Sequence, residues 1–321
     1  MLTSPDVATR YGTFMPILER DPWRIQYFEG IRCPDYVNIP TDDPDCWALF
    51  PQQNWIYDRL KIAESQGVAC GPHGVRPPQF PVFSKPIINL KGMGIGSRVI
   101  STADEWERSY QPGHMWMELF EGAHVSTDCA VEKGQIKWLR HATGEADANG
   151  TFKHWTIHAE TMPELGGFLG RWTTKHLADY CGIVNFETIG GRIIEAHLRF
   201  ADQWCDLYGE GWVDALVKFY STGHWHLDDG ERRDGFSIPL FARHGHVPPH
   251  PSPEVQCAIR AMPQVKSLQI TYYDDKAGEQ HPMPPGGFRL AVINCTDLQA
   301  GFAARRALAK AFPGVDLMLP E

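Results

Sequence analysis

An α+β fold is what the sequence predicts, on three observations. Short β-patterned runs crowd residues 81–140, an apolar stripe at helical spacing fills residues 164–181, and a hairpin-like alternation over residues 183–200 precedes two further strands and a helix. With 321 residues, 43% hydrophobic and 21% charged, the chain can bury one large core or two medium ones, which leaves out the disordered and fibrous classes. Its formal charge of -9 argues against a nucleic-acid partner, because binding duplex phosphates calls for a basic surface. No apolar run approaches the roughly 18 residues of a membrane span, and the opening MLTSPDVATR lacks the apolar stretch of a secretory signal, so a cytoplasmic protein is expected. The eight cysteines (33, 46, 70, 129, 181, 205, 257 and 295) are scattered with no C-x-x-C, and read as small buried hydrophobes.

Residues 1–50 are rich in Pro, Asp and aromatics without periodicity and are expected to wrap irregularly on the rest. Over residues 54–66 (NWIYDRLKIAESQ), Ile56, Leu60 and Ala63 fall at helical spacing, with Asn54 as N-cap and Gly67 just past the end. The loop 71–78 (GPHGVRPP) reads as a boundary between units. Strands are expected over 81–85, 115–119, 123–131 and 135–140, the last two joined by a Glu132-Lys133-Gly134 turn, and together they imply a small sheet. Leu165, Phe168, Leu169, Trp172, His176, Leu177 and Tyr180 make the stripe of a helix that Gly182 stops. A short helix is expected over 213–220 and strands over 267–273 and 288–294. A helix over 296–312 follows, opened by a Thr296/Gln299 capping box and stopped by Pro313-Gly314. There is no internal repeat. The expected division is 1–75 (N-terminal region and linker helix), 76–150 (a small lid-like subdomain) and 151–321 (a larger subdomain with a C-terminal extension).

The hairpin IVNFETIGGRIIEAHLRF is the most informative segment. Ile194, Ala196, Leu198 and Phe200 alternate with Glu195, His197 and Arg199, while Val184 and Phe186 alternate with Asn185 and Glu187. Matching the polar faces sets Glu187 opposite Glu195, which predicts an odd loop with a glycine bulge in place of a two-residue Gly190-Gly191 turn. Two facing carboxylates repel unless a cation lies between them, and oxygen ligands beside an amide suit Mg²⁺ bridging to a phosphate. A solvent-exposed sheet face would alternate in the same way. Upstream, Lys85 ends an apolar strand and Lys91 precedes Gly92, Gly94 and Gly96, a pattern that suits a polyphosphate cradle as well as a plain hairpin tip.

In chain order these pieces resemble the ATP-grasp superfamily over residues 54–200: a linker helix starting at Asn54, the strand Pro81-Val82-Phe83-Ser84-Lys85-Pro86, a glycine-rich loop at 91–97, the segment 117–124 (MELFEGAH), and Glu195-Ala196-His197-Leu198-Arg199 in the manner of E-x-N-x-R. The resemblance implies an ATP-grasp-like fold of two α+β subdomains enclosing a nucleotide cleft, with a reduced N-terminal region. It puts Lys85, Lys91 and the loop Gly92, Gly94 and Gly96 on the phosphates, Glu118 and the main chain of Leu119, Phe120 and Glu121 beside the adenine, and His124 near the ribose. It puts Mg²⁺ on Glu187 and Glu195, with Asn185 or His197 as a further ligand, and has Arg199 and Lys91, with Lys85, stabilising charge as the γ-phosphoryl moves. The implied activity is that of an ATP- and Mg²⁺-dependent ligase that activates a carboxylate as an acyl phosphate for an amine or thiol. Its partners are small-molecule acid, amine or thiol substrates, and a homodimer is among the assemblies expected.

His197 stands where the family has a metal-binding Asn, which bears on turnover and raises a second reading, a nucleotide-binding protein without catalysis. Arg140, His141 and Arg171 are the basic candidates for an acidic acceptor. A zinc-dependent hydrolase is a third reading, on His224-Trp225-His226 and His244-Gly245-His246, since histidines at i and i+2 of a strand share a face.

Overall fold

The computed structural model describes residues 16–88, 90, 94–147, 151–243, 245–277, 280–281 and 287–319. The N-terminal stretch is built from short pieces: strands β1 (Ile17–Leu18) and β2 (Ile39–Pro40) pair in parallel, with a 3-10 helix (Pro22–Phe28) between them and α1 (Asp43–Leu49) after. The expected helix over 54–66 is two elements, a 3-10 turn (Asn54–Tyr57) and α2 (Arg59–Ser65). Asp58 and not Asn54 caps it, because the Asp58 carboxylate accepts from the amides of Leu60 and Lys61.

An antiparallel sheet, four-stranded among the described residues, follows in the order β3 (Cys70–Pro72), β6 (His114–Glu118), β4 (Val82–Pro86), β5 (Arg98–Ile100), with α3 (Ala103–Glu107) between β5 and β6. The second sheet, nine-stranded among the described residues, holds β7 (His124–Glu132), β8 (Gln135–Ala146), β9 (Phe152–Ile157), β10 (Cys181–Ile189) and β11 (Arg192–His197). Helix α4 (Pro163–His176) precedes β10, and α5 (Trp212–Thr222) leads to the rest of the sheet. That remainder is β12 (Gly235–Arg243), β13 (Val265–Ile270), β14 (Gly287–Cys295) and β15 (Leu317–Met318), with α6 (Pro253–Arg260) before β13 and α7 (Leu298–Ala309) before β15. The order is β11-β10-β7-β8-β9-β12-β14-β13, and β15 pairs with β12.

The strands expected over 123–131 and 135–140 are therefore not part of the small sheet, and the expected boundary at 150 falls inside the large one. The reason is burial: β7 pairs with β10 along nine residues, which packs Cys129, Val131, Val184 and Phe186 with Leu169 and Trp172 of α4 into one core. Helix α7 starts one residue later than the predicted capping box. Asp297 caps it through the Ala300 amide, while the Thr296 hydroxyl turns to Gln264. Strand β12 escapes a sequence reading because Pro239 interrupts its β pattern. In the fold Pro239 lies beyond the β9 pairing, which stops at Ser237, and before the β15 pairing at Phe241, where one side of the strand has no ladder to complete. None of the helices among the described residues is long and apolar enough to cross a membrane.

Candidate functional site

The polar face of the β10/β11 hairpin is set by a bulge. Gly190 and Gly191 make a two-residue turn, both at positive φ (56° and 77°), which brings Ile189 opposite Arg192 and Thr188 opposite Ile193. Ile194 is then an extra residue, and beyond it Glu187 faces Glu195 and Asn185 faces His197. The predicted facing of the two glutamates is present, but the odd loop expected for it is not; parity is corrected inside the strand. The bulge also frees the Ile194 carbonyl, which accepts from Lys85 Nζ at 2.7 Å. Lys85 belongs to β4 of the small sheet and is buried, so this one hydrogen bond joins the two sheets. Burial, with Arg59 nearby, lowers its ammonium to about 7 despite the charge of Glu195.

Each residue predicted to hold metal already has another partner. Glu195 is ion-paired with Arg59, and His197 Nε2 lies 3.9 Å from the same carboxylate oxygen. Burial works to raise the Glu195 carboxyl, yet Arg59, His197 and Lys85 together hold it at about 2. Glu187 receives His124 Nε2 at 2.6 Å. The Asn185 amide donates to Asp128 at 2.7 Å and to Ser126 at 2.8 Å, so its nitrogen is committed to β7. His197 Nδ1 is 3.1 Å from both oxygens of Asp43, and Arg199 grips the same carboxylate with Nε at 2.9 Å and Nη2 at 3.1 Å. Burial alone would raise Asp43, but Arg199 and His197 drive it far below the usual carboxylate range. Among the described residues no group of three or more His, Cys, Asp or Glu side chains gathers to hold an ion. The donor set predicted for Mg²⁺ does not fit one as it stands, because the Arg59 guanidinium occupies Glu195 and the His124 imidazole occupies Glu187.

Sequence reasoning gave Arg59, Asp43 and Asp128 no role. Asp128 was nonetheless legible in the alternation of His124, Ser126 and Asp128 along β7, which continues the polar face of β10. Arg59 and Asp43 come from short N-terminal elements whose local pattern, helical for Arg59 and irregular for Asp43, carries nothing that aligns them with a sheet.

The other predicted residues are spread around this face. Lys91 and Gly92 lie outside the described residues. Gly94 and Gly96 form a turn closed by the Ser97 amide on the Gly94 carbonyl, and Gly96 sits against His114 and Pro86. Glu118 ends β6 with an exposed side chain, and Phe120 packs with Ala63, Val68, Met115 and Met117. The segment from Leu119 to Ala123 crosses from the small sheet to the large one and leans on the hairpin turn. The Gly190 amide donates to the Ala123 carbonyl, and a Cβ on Gly190 would collide with the Glu121 carbonyl oxygen.

Arg140 and His141 are adjacent on β8 and so face opposite sides of the sheet. Arg140 donates to the Arg233 carbonyl, and His141, kept near 4 by burial, contacts Thr127. Arg171 lies on an open groove with Leu139, Gly167, Gly170 and Lys175. These three basic residues do not converge. Among the described residues the zinc reading finds no cluster either: His224 contacts Glu132, and His244 lies outside them.

No protein-family model matches the sequence, and no curated protein matches it. Solved structures do resemble the fold. The L-amino acid ligase from Bacillus licheniformis gives a TM-score of 0.62 at 11% identity, over 93% of this chain and 84% of that one. Phosphoribosylamine–glycine ligase from Thermotoga maritima gives 0.58 at 12% identity over 92% and 88%. The biotin carboxylase domain of the Hydrogenobacter thermophilus 2-oxoglutarate carboxylase, solved with MgADP, ADP and bicarbonate, gives 0.52 at 11% over 88% and 71%. At such identities the likeness concerns architecture, and by it this chain has the α+β ATP-grasp fold.

Proposed function

We propose that this chain binds ATP where the four-stranded sheet meets the β10/β11 face. The observation that carries the reading is Lys85: a buried amine from one sheet, held by a single neutral carbonyl on the other and so able to turn to a phosphate. On this reading Lys85 and Arg199 face the triphosphate, Lys91, Gly92, Gly94 and Gly96 belong to its cradle, and Glu118 to Glu121 with His124 line the nucleoside side. A phosphate beside Lys85 restores its charge, so ATP binding takes up a proton when measured above about pH 7.

Calorimetric titration with ATP, repeated in buffers of different ionisation heat at pH 8, tests both points. Saturable binding with proton uptake is expected. Lys85→Met should weaken binding about tenfold or more and abolish the uptake. Binding unchanged in that variant removes Lys85 from the site, and no binding by the wild type at millimolar ATP sinks the reading.

A second reading is the ligase, in which an acid accepts the γ-phosphoryl group and the acyl phosphate is taken by an amine or thiol. It is favoured by the names of the structures this fold resembles, two of which are ligases. The committed carboxylates of the site favour binding without turnover. ADP release across a panel of acids with amines or thiols separates the two.

A further inference from the structure

Glu187 and Glu195 face each other across two strands, an arrangement that repels unless positive charge is supplied. The chain supplies it from outside the hairpin: the Arg59 guanidinium to Glu195 and, when protonated, the His124 imidazole to Glu187. Arg59 is not a surface side chain that has swung in. Its side chain is 2% exposed, its backbone amide donates to the Ile87 carbonyl at 2.9 Å, and it opens α2 directly after the Asp58 cap. Its Nη1 reaches the Pro86 carbonyl at the end of β4. The guanidinium is thus pinned between the two sheets, next to Lys85 and on the carboxylate that the sequence assigns to a metal.

We infer that Arg59 is the built-in counter-ion of this site: it occupies Glu195 in the role that a divalent cation plays in other nucleotide sites, and the chain takes ATP without one. The inference rests on the nucleotide reading above. A guanidinium is charged at every accessible pH and matches a carboxylate in a plane, so such a site needs no free cation to relieve Glu187 against Glu195. Releasing Glu195 from Arg59 should return the pair to the state in which an oxygen-seeking ion is attracted.

Manganese alone is the first probe, followed through the resonance of the free ion. Wild-type protein should leave that signal undiminished at millimolar Mn²⁺. Arg59→Met should bind one ion, about tenfold or more tighter than wild type, and Arg59→Met/Glu195→Gln should lose it. One ion bound by the wild type and lost in Glu195→Gln overturns the inference. So does a folded Arg59→Met protein that binds none. The second probe is ATP with wild-type protein, in excess Mg²⁺ and in EDTA. Affinities within about threefold support the inference, whereas a requirement for Mg²⁺ of about tenfold or more overturns it and leaves the nucleotide reading intact. Absence of ATP binding in both conditions ends the nucleotide reading, and the manganese titration then decides the role of Arg59. Should Arg59→Met not fold, the two wild-type measurements still decide.

Discussion

Glu195 and Asp128 share one face of one sheet, yet their surroundings drive their carboxyls in opposite directions. Asp128 is buried and receives only neutral donors: the Asn185 amide, the Ala201 main chain and the Tyr208 hydroxyl at 2.6 Å. Burial wins there, and its carboxyl is pushed up to about 6. Glu195, with 17% of its side chain exposed, receives a guanidinium and is held at about 2. Depth alone does not set the charge state of this face; the kind of donor does. Along β11 the face is a string of ion pairs, whereas Asp128 on β7 sits in a neutral hydrogen-bond cage.

The sharpest break of that contrast is made at Asp43, the acid that serves both His197 and Arg199. Asp43→Ala strands a guanidinium that is largely buried, and removal of one partner from such a pair costs about 3–5 kcal/mol. Urea denaturation at pH 7 should register that loss. A loss under about 1 kcal/mol would mean that water reaches Arg199, and its pair with Asp43 would be worth no more than one at the surface.

The next test is the pH profile, where the two carboxyls have opposite signs. Glu195 is depressed, so its contribution is complete above its ordinary 4.5 and is lost as pH falls toward about 2. Asp128 is raised, so it costs stability as pH climbs from its ordinary 3.8 through about 6. In Asp128→Asn that cost disappears. The stability of the variant relative to wild type should therefore improve by on the order of 2–3 kcal/mol between about pH 4 and pH 6.5. Asp206 and Asp42 are also raised to about 6 by burial and keep part of the decline in both proteins, so the difference curve is the quantity to measure.

What could be read in advance follows the same line. The hairpin was legible because burial on one face forces Val184, Phe186, Ala196 and Leu198 inward, and that fixes which polar residues meet whatever turn is used. The device was not legible: a bulge at Ile194 leaves no composition signal. Lys85 was found because it ends a strand of ordinary β pattern. Its target, a main-chain carbonyl, has no side chain to announce it. The counter-ions were missed for a different reason. Asp43 and Arg59 reach the face across 154 and 136 residues of sequence, from elements of seven residues each, and no local pattern encodes so distant a pairing. Without them the acidic face reads as a metal site, and with them it reads as already neutralised.

The mildest test concerns the pair at the open edge of the face, His124 with Glu187, whose side chains are 25% and 21% exposed. Burial lowers the imidazole, but the hydrogen bond and charge of Glu187 outweigh it and raise His124 above its ordinary 6.5. Its contribution is therefore present below that value and is lost as pH rises through the raised one. Partial exposure limits the pair to about 0.5–1 kcal/mol and leaves it open to screening by salt. His124→Gln should cost that much at pH 6 in low salt, and next to nothing at pH 9 or in high salt. The imidazole also lies edge-on to Phe152 and Trp155, with ring centres 5.3 Å and 5.4 Å away. A loss equal at both pH values and in both salts would assign the role of His124 to those rings. Glu187 would then lack a charged partner in the folded protein, and of the two facing glutamates only Glu195 would be neutralised by the chain itself.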